Sequence, residues 1–143
     1  MVYRLVYISK ANRHLDDREL DQILSVSRIN NSRKEIGGLL LFHEGKFFQV
    51  LEGEESRVER LYDDIAQDPR HYTIKRLQAG QVDKPLFGDW SMAYVPISSE
   101  EKRSLLGEGD FFTSFSPSNI SDEQTKSLTE FIENMARSML RPR

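Results

Sequence analysis

The stretch IGGLLLFHEGKFFQVLE, residues 36–52, holds two apolar runs of strand length on either side of a four-residue polar break. Gly45 in the break His43-Glu44-Gly45-Lys46 can take a positive φ at no steric cost, which suits a tight reversal. The spacing therefore predicts an antiparallel hairpin, Ile36–Phe42 returning as Phe47–Glu52. Side chains alternate between faces along a strand, so Phe47, Gln49 and Leu51 share one face. If that face is covered, Gln49 is a buried primary amide. Leaving its donors and acceptor unmet would cost on the order of 1–3 kcal/mol.

Upstream, VYRLVYIS over residues 2–9 reads as a strand with Tyr3, Leu5, Tyr7 and Ser9 on one face. Val2, Arg4, Val6 and Ile8 take the other. Asp16-x-x-Glu19 is a capping box that opens a helix. Leu20, Ile23 and Leu24 form its apolar stripe, and Ser27 leaves space one turn on. The Asn30-Asn31 pair is expected to end it. Downstream, Ser56-x-x-Glu59 is a second capping box, with Val58, Leu61, Tyr62 and Ile65 at helical spacing and Pro69 as the stop. Residues 72–82 and 86–96 read as strands around Asp83-Lys84-Pro85. The order is that of an α+β, ferredoxin-like βαββαβ fold with a fifth strand and two helices on one sheet face.

Beyond Pro96 the texture changes. Ser98-x-x-Glu101 opens a short helix that Gly107 closes, residues 107–119 are irregular, and Ser121-x-x-Gln124 starts a last helix. Leu128, Phe131, Ile132, Met135 and Met139 give that helix an apolar face, expected to pack on the open side of the sheet. The chain thus divides into a domain over 1–97 and a helical extension over 98–143, the latter too short for a separate enzymatic domain.

Composition narrows the function. The 143 residues are 38% hydrophobic and 30% charged with a net charge of -3, so no basic field favours nucleic acid. No apolar run nears the roughly 18 residues of a membrane span. MVYRLVYISK alternates like a strand rather than a signal peptide, which makes the cytoplasm the expected compartment. The chain has no cysteine, which excludes disulfides, thiolate metal sites and cysteine nucleophiles. His14, His43 and His71 are scattered, and neither a Gly-rich phosphate loop nor a Ser/His/Asp arrangement is present, so an enzyme is not expected. A Tyr on a strand ordinarily packs its ring and wets its hydroxyl, a strand Gln ordinarily faces solvent, and Trp90 and Met92 suit a core. A cofactor-free binding or oligomerisation module of this fold would leave Tyr7 and Gln49 unmotivated. Pairing the Tyr7 hydroxyl with the Gln49 amide solves part of that problem, and a polar heterocycle in the core could accept from the amide's spare donors.

Taken together, LVYIS with Tyr7 and Ser9, Asn30-Asn31, IGGLLLF, FFQVLEG, the helix running into DPRHY, and Phe87-x-x-Trp90-x-Met92 resemble the BLUF family, sensors of blue light using FAD. The resemblance covers residues 1–97 and is to the short stand-alone type with C-terminal helices. It implies noncovalent FAD between the two helices, with FMN as the alternative. Tyr7 is then the electron donor, Gln49 bridges Tyr7 to the flavin edge, and Asn31 with Asn30 bonds the ring. Ile23, Leu24, Ser27 and Ile65 flank it, while Ser9, Trp90 and Met92 couple Gln49 to the last strand. Arg70 and His71 match the family's Arg-His after the second helix. Gly37-Gly38 departs from a Thr in many relatives. Asp63-Asp64 stands where some carry a base, leaving Arg28, Lys75 or Arg76 for the phosphates. With no cysteine for a flavin adduct and a single Trp, light must act through Tyr, Gln and hydrogen bonds. The implied output is a hydrogen-bond rearrangement passed to the last strand and tail, read by a protein partner, with a homo-oligomer expected.

Overall fold

The computed structural model describes residues 2–11, 15–43, 45–87 and 93–94, together with helical positions 126, 130, 133 and 134. In chain order the elements are β1 (Val2–Ala11), α1 (Asp17–Arg33), β2 (Gly37–His43), β3 (Lys46–Gly53), α2 (Glu55–Ala66), β4 (His71–Val82) and β5 (Ala93–Tyr94). The five strands stand in the order β4-β1-β3-β2-β5. All neighbours are antiparallel except β2 and β5, which run parallel.

The hairpin forms as expected, with Gly45 at φ 78°. β1 then inserts beside β3, pairing Tyr7 with Gln49 and Arg4 with Glu52. On its other side β1 meets β4 with register shifts between Val6 and Tyr7 and again between Ile8 and Lys10. One sheet face carries Tyr3, Leu5, Tyr7, Leu40, Phe47 and Leu51, and α1 and α2 cover it with Leu20, Leu24, Val58 and Leu61. The extended apolar alternation of the strands explains both the pairing and this cover.

Three local expectations are corrected. Helix α1 continues past Asn30-Asn31 to Arg33, because the reversal is made one turn later: Lys34 N–H bonds the Asn30 and Asn31 carbonyls, and Glu35 takes φ 55°. The capping box at Asp16 holds, its carboxylate accepting from Glu19 N–H at 2.8 Å. The one at Ser56 does not. Helix α2 begins at Glu55 behind Glu54, the Ser56 hydroxyl donates to Glu54, and Glu59 is drawn instead to Tyr3 and Arg76. Third, Asp83-Lys84-Pro85 does not close a hairpin, since β4 and β5 lie at opposite sheet edges. Within 86–96 the described strand is Ala93–Tyr94, and Leu86 and Phe87 are irregular. The second sheet face is apolar and covered. Val6, Ile8, Leu39, Leu41, Phe48 and Val50 are all buried. Helical positions Lys126, Glu130, Glu133 and Asn134 agree with a last helix, while its apolar residues 128–139 and the helix at 98–107 lie outside the described residues.

That second face also buries an ion pair. Arg4 Nε donates to Glu52 Oε2 at 2.7 Å, with the side chains 8% and 1% exposed. Removing one member of a buried pair strands the other charge, which typically costs ~3–5 kcal/mol, whereas replacing both is far better tolerated. Urea unfolding should therefore find Arg4→Met destabilised by about that amount, and Arg4→Met/Glu52→Gln much closer to the parent.

Candidate functional site

Helices α1 and α2 leave a cleft between them over the middle of the sheet. Tyr7, Ile23, Ser27, Leu40, Phe47, Gln49, Ile65, Asp68, Arg70 and His71 line it, around about 490 Å³ of free space counted to its open mouth. Its floor is the β1–β3 ladder. Tyr7 and Gln49 are direct cross-strand partners, 3% and 5% exposed, and the Tyr7 hydroxyl donates to Gln49 Oε1. Burial, then the neighbouring Tyr62 and Asp68, push the Tyr7 phenol far above its ordinary value. The phenol therefore keeps its proton, which it donates to Gln49 Oε1.

Tyr7 is enclosed by aromatic edges. Tyr62 meets it at 5.5 Å between ring centroids and His71 at 6.5 Å, both edge-on. His71 is fixed at both nitrogens, Nε2 lying 2.6 Å from the Ile65 carbonyl and Nδ1 2.9 Å from the Ser9 hydroxyl. A carbonyl oxygen only accepts, so Nε2 carries the proton, and in the neutral ring Nδ1 accepts from Ser9. His71 thereby ties the end of α2 to β1 beside Tyr7. At the mouth, Asp68 accepts from the Arg70 backbone N–H at 2.9 Å and from its guanidinium. Those hydrogen bonds hold the Asp68 carboxyl below its usual range.

A second polar group flanks the cleft. Glu59 accepts from the Tyr3 hydroxyl and from both guanidinium arms of Arg76, at 2.9 and 2.8 Å. Arg76 also lies 4.6 Å over the Tyr62 ring. The hydrogen bond to Glu59, with burial, pushes the Tyr3 phenol up to about 12. Burial works against ionised Glu59, but Arg76 and Tyr3 outweigh it and leave the carboxyl lowered.

Of the residues singled out from sequence, Tyr7, Gln49, Ile23, Ser27, Ile65, Arg70 and His71 meet at this cleft. Leu24 is buried in the core beneath α1 instead. Asn31 is buried on α1, whereas Asn30 and Arg28 are exposed. Ser9 is joined to His71. Arg76 is engaged by Glu59 and Tyr62, away from the cleft lining. Trp90 and Met92 lie outside the described residues. Sequence reading missed Leu40, Phe47 and Asp68 as lining residues, and Tyr62 as the neighbour of Tyr7. Leu40 was signalled by its place in the hairpin, three positions into β2 on the face of Gln49.

The donor set suits a flavin. Ile23, Leu40, Phe47 and Ile65 offer apolar walls to a flat ring system, and the Gln49 carboxamide offers donors to its carbonyl and imine acceptors. The open mouth leaves a way out for a phosphate-bearing tail.

The lowered carboxyls have a pH signature. A group whose folded value is depressed contributes stability in full above its unfolded value, and that contribution is lost as pH falls through the folded one. Melting temperature should hold from neutrality down to about the ordinary carboxylate value of 4.5 for Glu59 and decline below it. Glu59→Gln should flatten part of that acid limb, as thermal melts across pH 3–7 will show.

Residues 2–93 match the family model described as BLUF, sensors of blue-light using FAD. The chain is 31% identical over 106 residues to the blue light- and temperature-regulated antirepressor BluF of Escherichia coli, covering 74% of this chain and 26% of that protein. It is 33% identical over 89 residues to the photoactivated adenylate cyclase subunit beta of Euglena gracilis, covering 62% of this chain and 10% of that one. The chain therefore spans a minor part of the curated relatives it matches. Among solved structures, BlsA in its photo-activated state superposes with a TM-score of 0.79 at 34% identity and 95% coverage of both chains. BlrB, a BLUF protein in its dark state, gives 0.73 at 28% identity, covering 94% of this chain and 96% of that one. With the family model matching residues 2–93 and solved BLUF structures superposing on the fold, this protein belongs to the BLUF family and is a blue-light photoreceptor that uses FAD.

Proposed function

We propose that this protein senses blue light by rearranging the hydrogen bond between Tyr7 and Gln49 and reports the change through contact with another protein. The observation that carries the reading is the Tyr7 hydroxyl donating to a buried amide oxygen in the floor of the cleft between α1 and α2. Bound FAD would supply the absorption of blue light and a strong oxidant in the excited state. Tyr7 would be the electron donor to that oxidant, and its phenol, made strongly acidic by the loss, would pass its proton to Gln49 Oε1, with which it is hydrogen-bonded. When electron and proton return, the carboxamide settles with donor and acceptor exchanged, as a rotamer or as a tautomer. Either form satisfies different neighbours, and that difference is a two-state switch.

Ile23, Ser27 and Ile65 would flank the ring from the helices, and Asn31, with Asn30, would hydrogen-bond it. Arg70 is the cation nearest the mouth for the tail, though Asp68 already engages it. Ser9, Trp90 and Met92 carry the altered state of Gln49 toward β5. The photosensor is residues 1–97, and residues 98–143 are the output surface, acting on a signalling partner and joining two copies rather than catalysing a reaction. Its relatives signal in partnership with other activities, as the names antirepressor and adenylate cyclase indicate for those proteins. Among the described residues no helix is long and apolar enough to cross a membrane.

Absorption before and after blue light tests the switch. The FAD-bound protein should show a structured flavin band that moves slightly to the red and relaxes in darkness. Gln49→Leu and Tyr7→Phe should each bind flavin and lose the shift. A normal shift in Gln49→Leu would remove that residue from the mechanism, and a wild-type band unmoved by light would sink the reading.

A further inference from the structure

Glu52 carries the one buried carboxylate among the described residues, and its bonds converge on a single stretch of chain. Oε1 accepts from Leu86 N–H at 2.9 Å and from Phe87 N–H at 2.7 Å, and Oε2 from Arg4 Nε at 2.7 Å. The other arm of Arg4 donates to the Lys84 carbonyl at 3.3 Å. Two side chains thus hold the crossover that leaves β4 and leads to β5 at the far edge. An exposed crossover needs no such anchor, and a buried ion pair is a costly way to provide one.

The location explains its use. Arg4 and Glu52 are cross-strand partners in the same β1–β3 ladder that pairs Tyr7 with Gln49, three residues along each strand. An odd spacing puts them on opposite faces, about 10 Å apart along the strand. The Tyr7–Gln49 bond therefore faces the cleft, and the Arg4–Glu52 pair faces the crossover, with one ladder between them. A twist of the β1–β3 ladder that accommodates a new Gln49 orientation also moves the Glu52 carboxylate relative to Leu86 and Phe87. Its hydrogen bonds to Leu86 and Phe87 lengthen or shorten with it.

The geometry points to Arg4 and Glu52 as positioning residues that transmit the state of Gln49 through the sheet to the chain entering β5, an inference that rests on the light-switch reading of Gln49. Neither residue touches the cleft. Their route runs across the opposite face of the sheet, and it acts on Leu86 and Phe87 before the chain reaches Trp90. It does not depend on a side chain of β5 meeting Gln49.

The test follows amide hydrogen exchange at Leu86 and Phe87 in the FAD-bound full chain, in darkness and under continuous blue light, with the flavin band read on the same sample. In the parent, light should change exchange at both amides by about tenfold, the equivalent of ~1.4 kcal/mol. Arg4→Met/Glu52→Gln removes both charges and keeps an amide oxygen for the two N–H groups. It should retain the flavin shift and lose the light-dependent difference at Leu86 and Phe87. Arg4→Lys, a milder change that keeps the cation but not the planar fork, should lose most of that difference too and serves if the paired variant does not fold. A mere structural anchor would alter exchange equally in light and dark. A parent that shifts its flavin band with exchange unchanged at these amides overturns the relay alone, as does a folded variant that keeps the full light-dependent difference. A parent without any flavin shift overturns the light switch, and the relay with it.

Discussion

The antiparallel pairing of β1 with β3 is the constraint on which the rest of the molecule depends. It sets Tyr7 against Gln49 and Arg4 against Glu52 in one register. Because side chains alternate strictly, a slip of one residue would carry Tyr7 to the crossover face and put Val6 in the cleft. Both faces of this sheet are buried, so such a slip would also strand a guanidinium under the helices. The register is therefore enforced from both sides. The cleft, its polar pair and the anchored crossover are consequences of that one alignment.

Burial divides the polar groups by task. Around the cleft, neutral groups predominate: a phenol, a carboxamide, a hydroxyl and an imidazole, each matched to a partner. Full charges sit at the mouth, in Asp68 with Arg70, and outside the lining, in Glu59 with Arg76, where water screens them. The fully buried ion pair is kept to the other face. A cofactor ring placed in the cleft would thus meet hydrogen bonds whose donors and acceptors can be exchanged, rather than fixed charges that would dictate one orientation.

Much of this was legible in the chain because it is local. Period-two alternation gave the faces of β1 and β3, Gly45 marked the hairpin turn, and Asp16 marked the start of α1. The coincidence of a Tyr and a Gln on faces due to be covered pointed to the cleft before any fold was in hand. What failed to show was non-local. Asp83-Lys84-Pro85 has turn chemistry, yet nothing in it tells a hairpin from a crossover to the opposite edge. Glu52 reads as the polar end of an apolar strand, and its burial comes from Leu86 and Phe87, which are remote in sequence. The same holds for Glu59, whose helical spacing from Ser56 suggested a cap while Arg76 on a later strand claimed it.

The two register shifts in the β1–β4 pairing, one just before Tyr7 and one just after Ile8, give β1 two seams of unequal stiffness. Toward β3 the ladder is unbroken, so that side behaves as a clamp. Toward β4 the irregular steps interrupt the hydrogen-bond ladder around Tyr7 and increase local twist, so that side yields. A displacement begun at Tyr7 then meets more resistance along one edge than the other. Movement of Tyr7 is therefore carried by β1 and β3 together, while the β1–β4 seam takes up the difference.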